Sequence, residues 1–413
     1  MRTCIVRAAI AMALVPAAAG AQSLVLTESQ ALERLSMDSP RVRAIRASAD
    51  VARADALAAG RWPNPRVTVN RESAVGITEY ISTVGQVLPV TGKRGLAIQA
   101  ASAHADAASS RADDQVRRVR ADLRLAFIDL VAATFREHEM VIAASRVQTL
   151  AQVIAKREAA GDAAGFDKLR AERAVLDLNA DVVALREART NAEATLSSFF
   201  ASAPPDSIAV SPPNLAGWSP NPPPIQGVPT LEDLLALAEQ RRGDLRALQQ
   251  DVASAEFAER AAIRGLYPEP EVVAGTKSSS AGSGDIGGVF AVHATIPLFD
   301  RAHPERASAR ARAAEARARA EAFRTSLRAQ LRALHRSVTE RREQAFQYRA
   351  FEAATRDLDR IAEVSYEAGE RGIQEVLEVY RTTAAARLRQ IDLDLAVRQA
   401  EIELEFASGW ELQ

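Results

Sequence analysis

Apolar residues recur at helical steps over long stretches of this chain, and those stretches hold no internal proline. From about Gly95 to Ala160, and again from about Pro304 to Ala368, the pattern predicts a single long helix, each stopped by a glycine, Gly161 and Gly369. Return helices are expected from about Phe166 to Phe200 and from about Ile373 to Ala407. Leu123, Phe127, Leu130, Val131 and Thr134 in one helix, and Leu377, Tyr380, Ala384, Leu388, Ile391 and Leu395 in another, follow i, i+3, i+4 spacing. A first helix, about Thr27 to Gly60, should end at the Trp62-Pro63-Asn64-Pro65 breaker. A helix of roughly 65 residues spans about 100 Å, so it needs a neighbour along its whole length. A return helix of about 35 residues stacked on a first helix of about 34 supplies that length at the same rise per residue.

Two shorter segments, about Arg66–Arg71 and Tyr80–Val90, are rich in Val, Ile, Thr and Tyr and read as a hairpin; Val272–Lys277 with Val289–Phe299 read as a second one. Alternation is partial: Phe290, Val292, Ala294 and Ile296 share one face, while Val289, Ala291, His293 and Thr295 share the other.

The two halves follow one plan. Trp62-Pro63-x-Pro65 matches Tyr267-Pro268-x-Pro270, and Leu88-Pro89 matches Ile296-Pro297 at an offset of 208. At that offset Gly161 falls on Gly369, Asp167 on Glu375 and Leu169 on Leu377. The expected organisation is a first repeat over 22–201, a linker over 202–229 rich in Pro, Ser and Gly, and a second repeat over 230–413. Residues 1–21, with Arg2 and Arg7 ahead of an apolar middle and small residues at Ala19 and Ala21, read as a secretory signal.

Composition narrows the choice of function. The only cysteine, Cys4, lies in that signal, so the mature chain has no disulfide framework and no thiolate metal site. Without Arg2 and Arg7 the net charge is about −3, which argues against affinity for nucleic acid through phosphate neutralisation. No stretch beyond the signal approaches the length of a membrane-spanning helix. A membrane-crossing version of this chain would therefore have to use a closed barrel. Four strands leave two open edges, which lipid does not tolerate. Three copies would supply twelve strands, and their long helices one shared cylinder.

Catalytic signatures are absent: the chain has no G-x-S-x-G, H-E-x-x-H or P-loop. His104, His138, His293, His303 and His335 are scattered, and "REHEM" sets His138 between two glutamates that do not share its helix face. Neither an enzyme, a resident metal nor a cofactor is expected. The run "ARARAAEARARAEAFR" reads as a solvated helix face.

The duplicated plan, with "QVLPVTGKRG" after the first hairpin, "IPLFDR" after the second, and the turns "GDAAGFDKLRA" and "GERGIQEVLEVYR", resembles the TolC family of outer-membrane efflux proteins over about residues 24–408. The exits Pro89 to Gly95 and Pro297 to Arg301 are similar to those of the CzcC-like branch, which serves heavy-metal pumps. The resemblance implies a mainly α fold with a small β part. It further implies a homotrimer, with a twelve-stranded barrel in the outer membrane continuing into a twelve-helix periplasmic tunnel. The implied partners are outer-membrane lipid, a periplasmic adaptor and an inner-membrane RND-type transporter, with most of the chain in the periplasm of a Gram-negative cell. Organic compounds or a secreted protein are alternative cargoes, and a non-channel periplasmic adaptor or scaffold is the alternative class.

Carried over onto this sequence, the tip turns that gate and meet the adaptor are Gly161, Phe166, Asp167 and Leu169 with Gly369, Gly372, Glu375 and Leu377. The barrel-to-tunnel junctions are Pro89, Gly92, Lys93, Arg94 and Gly95 with Pro297, Asp300 and Arg301. Lys93 and Arg94 read as rim charges that snorkel toward lipid head groups, or else as an anion-selecting ring. Asp167 and Glu375 read as first-turn acids on helix dipoles, or, tripled, as acidic rings that favour cations.

Overall fold

The computed structural model describes residues 24–74, 76–161, 165–201, 208–209, 227–282, 284–299, 301–354 and 357–410. The expected signal and most of the linker lie outside them. A two-residue strand, β1 (Leu24–Val25), leads into α1 (Glu28–Asp38), whose start is fixed by a reciprocal capping box between Thr27 and Gln30. The single first helix expected from Thr27 to Gly60 is in fact two. Ser39 is extended (φ −79°, ψ 121°) because it precedes Pro40, which starts α2 (Pro40–Ala59).

Strands β2 (Arg66–Ala74) and β3 (Ile77–Val87) form a hairpin, and α3 (Lys93–Ala159) descends from it for 67 residues, about 100 Å. Gly161 takes a left-handed φ of 85° at the turn, and α4 (Gly165–Ser197) returns along α3. Strand β4 (Ile208–Ala209) pairs in parallel with β1. Helices α5 (Leu231–Arg241) and α6 (Gly243–Arg264) lead to β5 (Pro270–Ser279) and β6 (Ile286–Ala294).

The second long helix expected to run to Ala368 is divided into α7 (His303–Ala354) and α8 (Leu358–Glu367), and α9 (Ile373–Ser408) returns along them. Strand β6 ends at Ala294, so Phe299 lies outside the ladder that was expected to contain it.

All four long strands form one antiparallel sheet in the order β2-β3-β5-β6, leaving β2 and β6 as its edges. Below it the helices repeat that order: α2 packs on α3, α3 on α6 and α6 on α7. Farther down, α4 packs on α3, α3 on α9, and α9 on both α7 and α8. The chain is thus a wall two levels high, open at both sides. Its core is a set of thin seams. Leu35, Leu123, Leu130, Leu196, Phe199 and Ile402 close one, Leu234, Leu331, Val338 and Leu404 another. Each fully buried leucine contributes about 1.5–3 kcal/mol.

Candidate functional site: a wall segment, its junctions and its tip

Register sorts the sheet into two chemically different faces. Val67, Val84, Ala274 and Phe290 stand opposite one another across the four strands, as do Val69, Ser82 and Thr276 two positions along. Tyr80, Ile286 and Val292 belong to the same face, and Val67, Val69, Val84, Ile286, Phe290 and Val292 are all solvent-exposed large apolar groups. The reverse face carries Arg66, Asn70, Glu72, Glu79, Glu271, Lys277 and His293. Glu72 and Glu79 are direct partners, an unfavourable like-charge pair that Lys277 offsets by an ion pair to Glu79 at 2.7 Å. An apolar face opposed to a polar one suits a barrel wall between lipid and a wet lumen.

At the first junction, Leu88 N–H donates to Pro270 O, and Pro89 follows the end of β3. Gly92 has φ 77°, which lets the chain turn into α3. Lys93 and Gly95 are exposed in its first turn. Arg94 is engaged, its guanidinium 5.3 Å from the Trp62 ring centroid and donating to Gly60 O. At the second junction Pro297 lies in irregular chain, and Arg301 and Ala302 take left-handed φ values of 48° and 52° ahead of α7. Asp300 lies outside the described residues.

The structure brings the two tip turns side by side. Arg170 donates to Gln374 at 2.9 Å, and Ala171, Ala174 and Leu178 share a buried cluster with Ile373, Val376, Leu377 and Tyr380. The turns differ where the repeat pairs them: Phe166 and Leu169 are exposed, whereas Leu377 is buried. Gly369 has φ 75°, and Gly372 is extended as the N-cap of α9. Asp167 and Glu375 each lie in the first turn of a return helix, and Glu375 is paired with Arg371 at 3.2 Å.

The sequence reading missed Asp359 at the start of α8. It is gripped by Arg146 of α3 and by Arg387 of α9, the latter at 3.2 Å. These residues border a 480 Å³ cleft with Tyr366 and Tyr380. Burial, then the charges of Glu363 and Asp359, push the Tyr380 phenol up, keeping it neutral. Among the described residues no group of three or more His, Cys, Asp or Glu could hold a metal, and no helix is long and apolar enough to cross a membrane.

A duplicated wall of long helices under a small antiparallel sheet is the TolC-like fold. Over 94% of this chain and 94% of the other, it superposes with TM-score 0.78 and 19% identity on a membrane protein from Pseudomonas aeruginosa. The outer-membrane protein VceC of Vibrio cholerae is 16% identical, with TM-score 0.74 over 94% and 97% of the two chains. The open state of the Neisseria gonorrhoeae MtrE outer-membrane channel is 15% identical, with TM-score 0.75 over 94% and 92%. In sequence, residues 234–410 match the outer membrane efflux protein family, a stretch that runs from α5 to the end of the described chain. No curated protein matches the chain.

Proposed function

We propose that the whole chain is an outer-membrane efflux protein, one third of a homotrimeric conduit that passively carries substrate from an inner-membrane pump and its adaptor to the exterior. The observation that carries this reading is the open wall: β2 and β6 are free edges above, α2 and α7 end the helix row below, and both levels run in the same order. Copies placed side by side close both levels with one rotation. Exposed alanines support it: Ala44, Ala47, Ala54 and Ala58 of α2, with Val51 in the same row, and Ala307, Ala311, Ala314 and Ala318 of α7, form stripes suited to close helix contact. The division into repeats over 22–201 and 230–413, joined by 202–229, belongs to the same proposal.

Because the mature chain lacks cysteine, an Ala54→Cys, Ala311→Cys protein tests closure directly. Oxidation should give a ladder ending at a trimer, and neither single variant should pass the dimer. A chain recovered from the periplasm as a monomer, without cross-links, would remove the conduit reading.

We further propose that the cargo is heavy-metal cations and that the pump is of RND type, on the likeness of the Pro89–Gly95 and Pro297–Arg301 exits to the CzcC-like branch. Deleting the protein should sensitise cells to Co, Zn, Cd, Cu or Ni salts; sensitivity to dyes and detergents alone would refute the metal assignment. The tip residues Gly161, Phe166, Asp167, Leu169, Gly369, Gly372, Glu375 and Leu377 are proposed as gate and adaptor contact. If the tripled acids favour cations, Asp167→Asn should lower cation preference in planar bilayers more than Glu375→Gln, since Arg371 already offsets Glu375. Unchanged preference in both would discard the acidic ring.

A further inference from the structure

The two hairpins of the sheet are one hairpin written twice, down to the pairing of individual residues. Partners within the first have numbers that add to 151, as in Arg66 with Gly85, and partners within the second add to 564, as in Glu271 with His293. The breakers ahead of β2 and β5, Trp62 and Tyr267, are 205 residues apart, and the exits after β3 and β6, Leu88 and Ile296, are 208 apart. Moved by those offsets, Arg66 and Gly85 fall on Glu271 and His293, which are themselves partners. Duplication has therefore kept the register as well as the sequence pattern.

Between the hairpins, β3 pairs with β5 so that partner numbers add to 358, as in Val84 with Ala274. One chain cannot make the counterpart of that junction. The equivalent of β3 is β6 and the equivalent of β5 is β2, and these two are the free edges of the sheet. Carried forward by 208, Val84 becomes Val292; carried back by 205, Ala274 becomes Val69.

We infer that β6 of one copy pairs with β2 of the next in the register that β3 and β5 already use, setting Val292 opposite Val69 of the next copy and Ala291 opposite its Asn70. The inference rests on the trimeric channel reading and adds to it the residue pairs at which the barrel closes. Barrel geometry selects the same register from a different starting point. Across one chain, Arg66 leads to Gly85, then to Val273 and Ala291, and the inferred seam carries that row to Asn70 of the next copy. Each copy advances the row by about four residues, so three copies give a shear of about twelve for about twelve strands. Shear equal to strand number sets a tilt of about 36°, as in eight-stranded barrels of shear eight. That lies within the roughly 35–45° of outer-membrane barrels. A slip of one residue is excluded, because it would continue the apolar face of one copy into the polar face of the next. Slips of two residues give tilts of about 20° or about 47°, the first far outside the range and the second just above it. The seam also completes a contact half-made in one chain. Arg71 lies with its guanidinium 5.7 Å from the Tyr80 ring centroid, and the register brings to its other side Phe290 of the preceding copy, a ring 74% exposed in a lone protomer.

The test introduces cysteine pairs into the full-length protein, whose mature chain has none, oxidises the outer membranes and separates the products without reductant. Val69→Cys with Val292→Cys, and Asn70→Cys with Ala291→Cys, should each give cross-linked dimers and trimers, since directly opposed antiparallel partners have Cα atoms about 4.5–5.5 Å apart, within disulfide reach. Val67→Cys with Val292→Cys, and Arg71→Cys with Val292→Cys, are slipped by two residues to about 8 Å and should give roughly tenfold less product. Val84→Cys with Ala274→Cys, the same junction inside one chain, should lose its free thiols without joining copies, which checks that cysteines in this sheet can be oxidised. Cross-linking strongest in a slipped pair would overturn the register. The seam also falls, with the trimer left standing, if Ala54→Cys with Ala311→Cys yields trimers while the sheet pairs link nothing. If neither sheet nor helix pairs join copies, the trimer and the seam fall together.

Discussion

Replacing Arg342 by methionine is expected to destabilise the helical wall by about 3 kcal/mol, the lower end of what breaking a buried ion pair costs. Arg342 of α7 and Glu401 of α9 are both almost fully buried, with Nη2–Oε1 at 2.5 Å and Nε donating to the same oxygen at 2.7 Å. Methionine fills much of the arginine's volume but leaves Glu401 charged and dry. The loss stays near the lower end because Arg398 still reaches the other Glu401 oxygen at 3.3 Å. A second change, Glu401→Leu on top of Arg342→Met, should restore most of the loss, because a matched apolar pair one helical turn from Val338 and Leu404 on one side and from Ala345 and Val397 on the other joins two seams already present. Thermal melting followed by circular dichroism, compared across the four members of the cycle, provides the measurement. If the single variant melts with the parent, Glu401 is reached by water and the pair is not a strut between α7 and α9.

Arg342 also marks the limit of what sequence pattern reveals. Upstream in α7, "ARARAAEARARAEAFR" does lie mostly in solvent, with Arg317 paired to Glu256 of α6 and Arg319 to Glu315. Farther along, an arginine of the same local appearance is buried, because α9 crosses there with an acid at the right height. Only the partner's position distinguishes the two cases. The same holds for Asp359, whose two arginines come from α3 and α9.

Long helices, glycine turns and hairpins were legible because proline, glycine and periodicity are local signals. The break before Pro40 is equally local, but the helical composition runs straight through it and hides it. The two faces of the sheet were half legible. One strand shows mild alternation, but the split into apolar and polar faces emerges only when register aligns Val67, Val84, Ala274 and Phe290. Repeat equivalence also misled at the tip, where Leu169 and Leu377 match in sequence yet differ in burial. Leu377 lies in the seam between the two hairpins, and Leu169 lies outside it.

Gly275→Val is expected to abolish assembly while leaving each helical hairpin folded. Gly275 of β5 faces Thr83 of β3, the one strand pairing that joins the two halves of the sheet. A Cβ placed there would lie 2.7 Å from Thr83 Cα and still closer to the Ser82 carbonyl oxygen. Those are backbone atoms and cannot rotate away, so relief requires β3 and β5 to separate locally. Overpacking of this kind costs about 1–3 kcal/mol in a core. In a shared barrel the cost recurs in every copy, and parted strands expose unpaired backbone groups to lipid. The valine protein should therefore keep its helical circular dichroism, yet give no heat-sensitive trimer on unheated gels and no conductance in bilayers. Gly85→Ala provides the contrast, because an added Cβ there meets mainly the Glu271 carboxylate, the movable end of a side chain. It should assemble. Trimers of normal yield from Gly275→Val would show that the β3–β5 junction is looser than the register implies, and that closure of the barrel does not depend on this close approach.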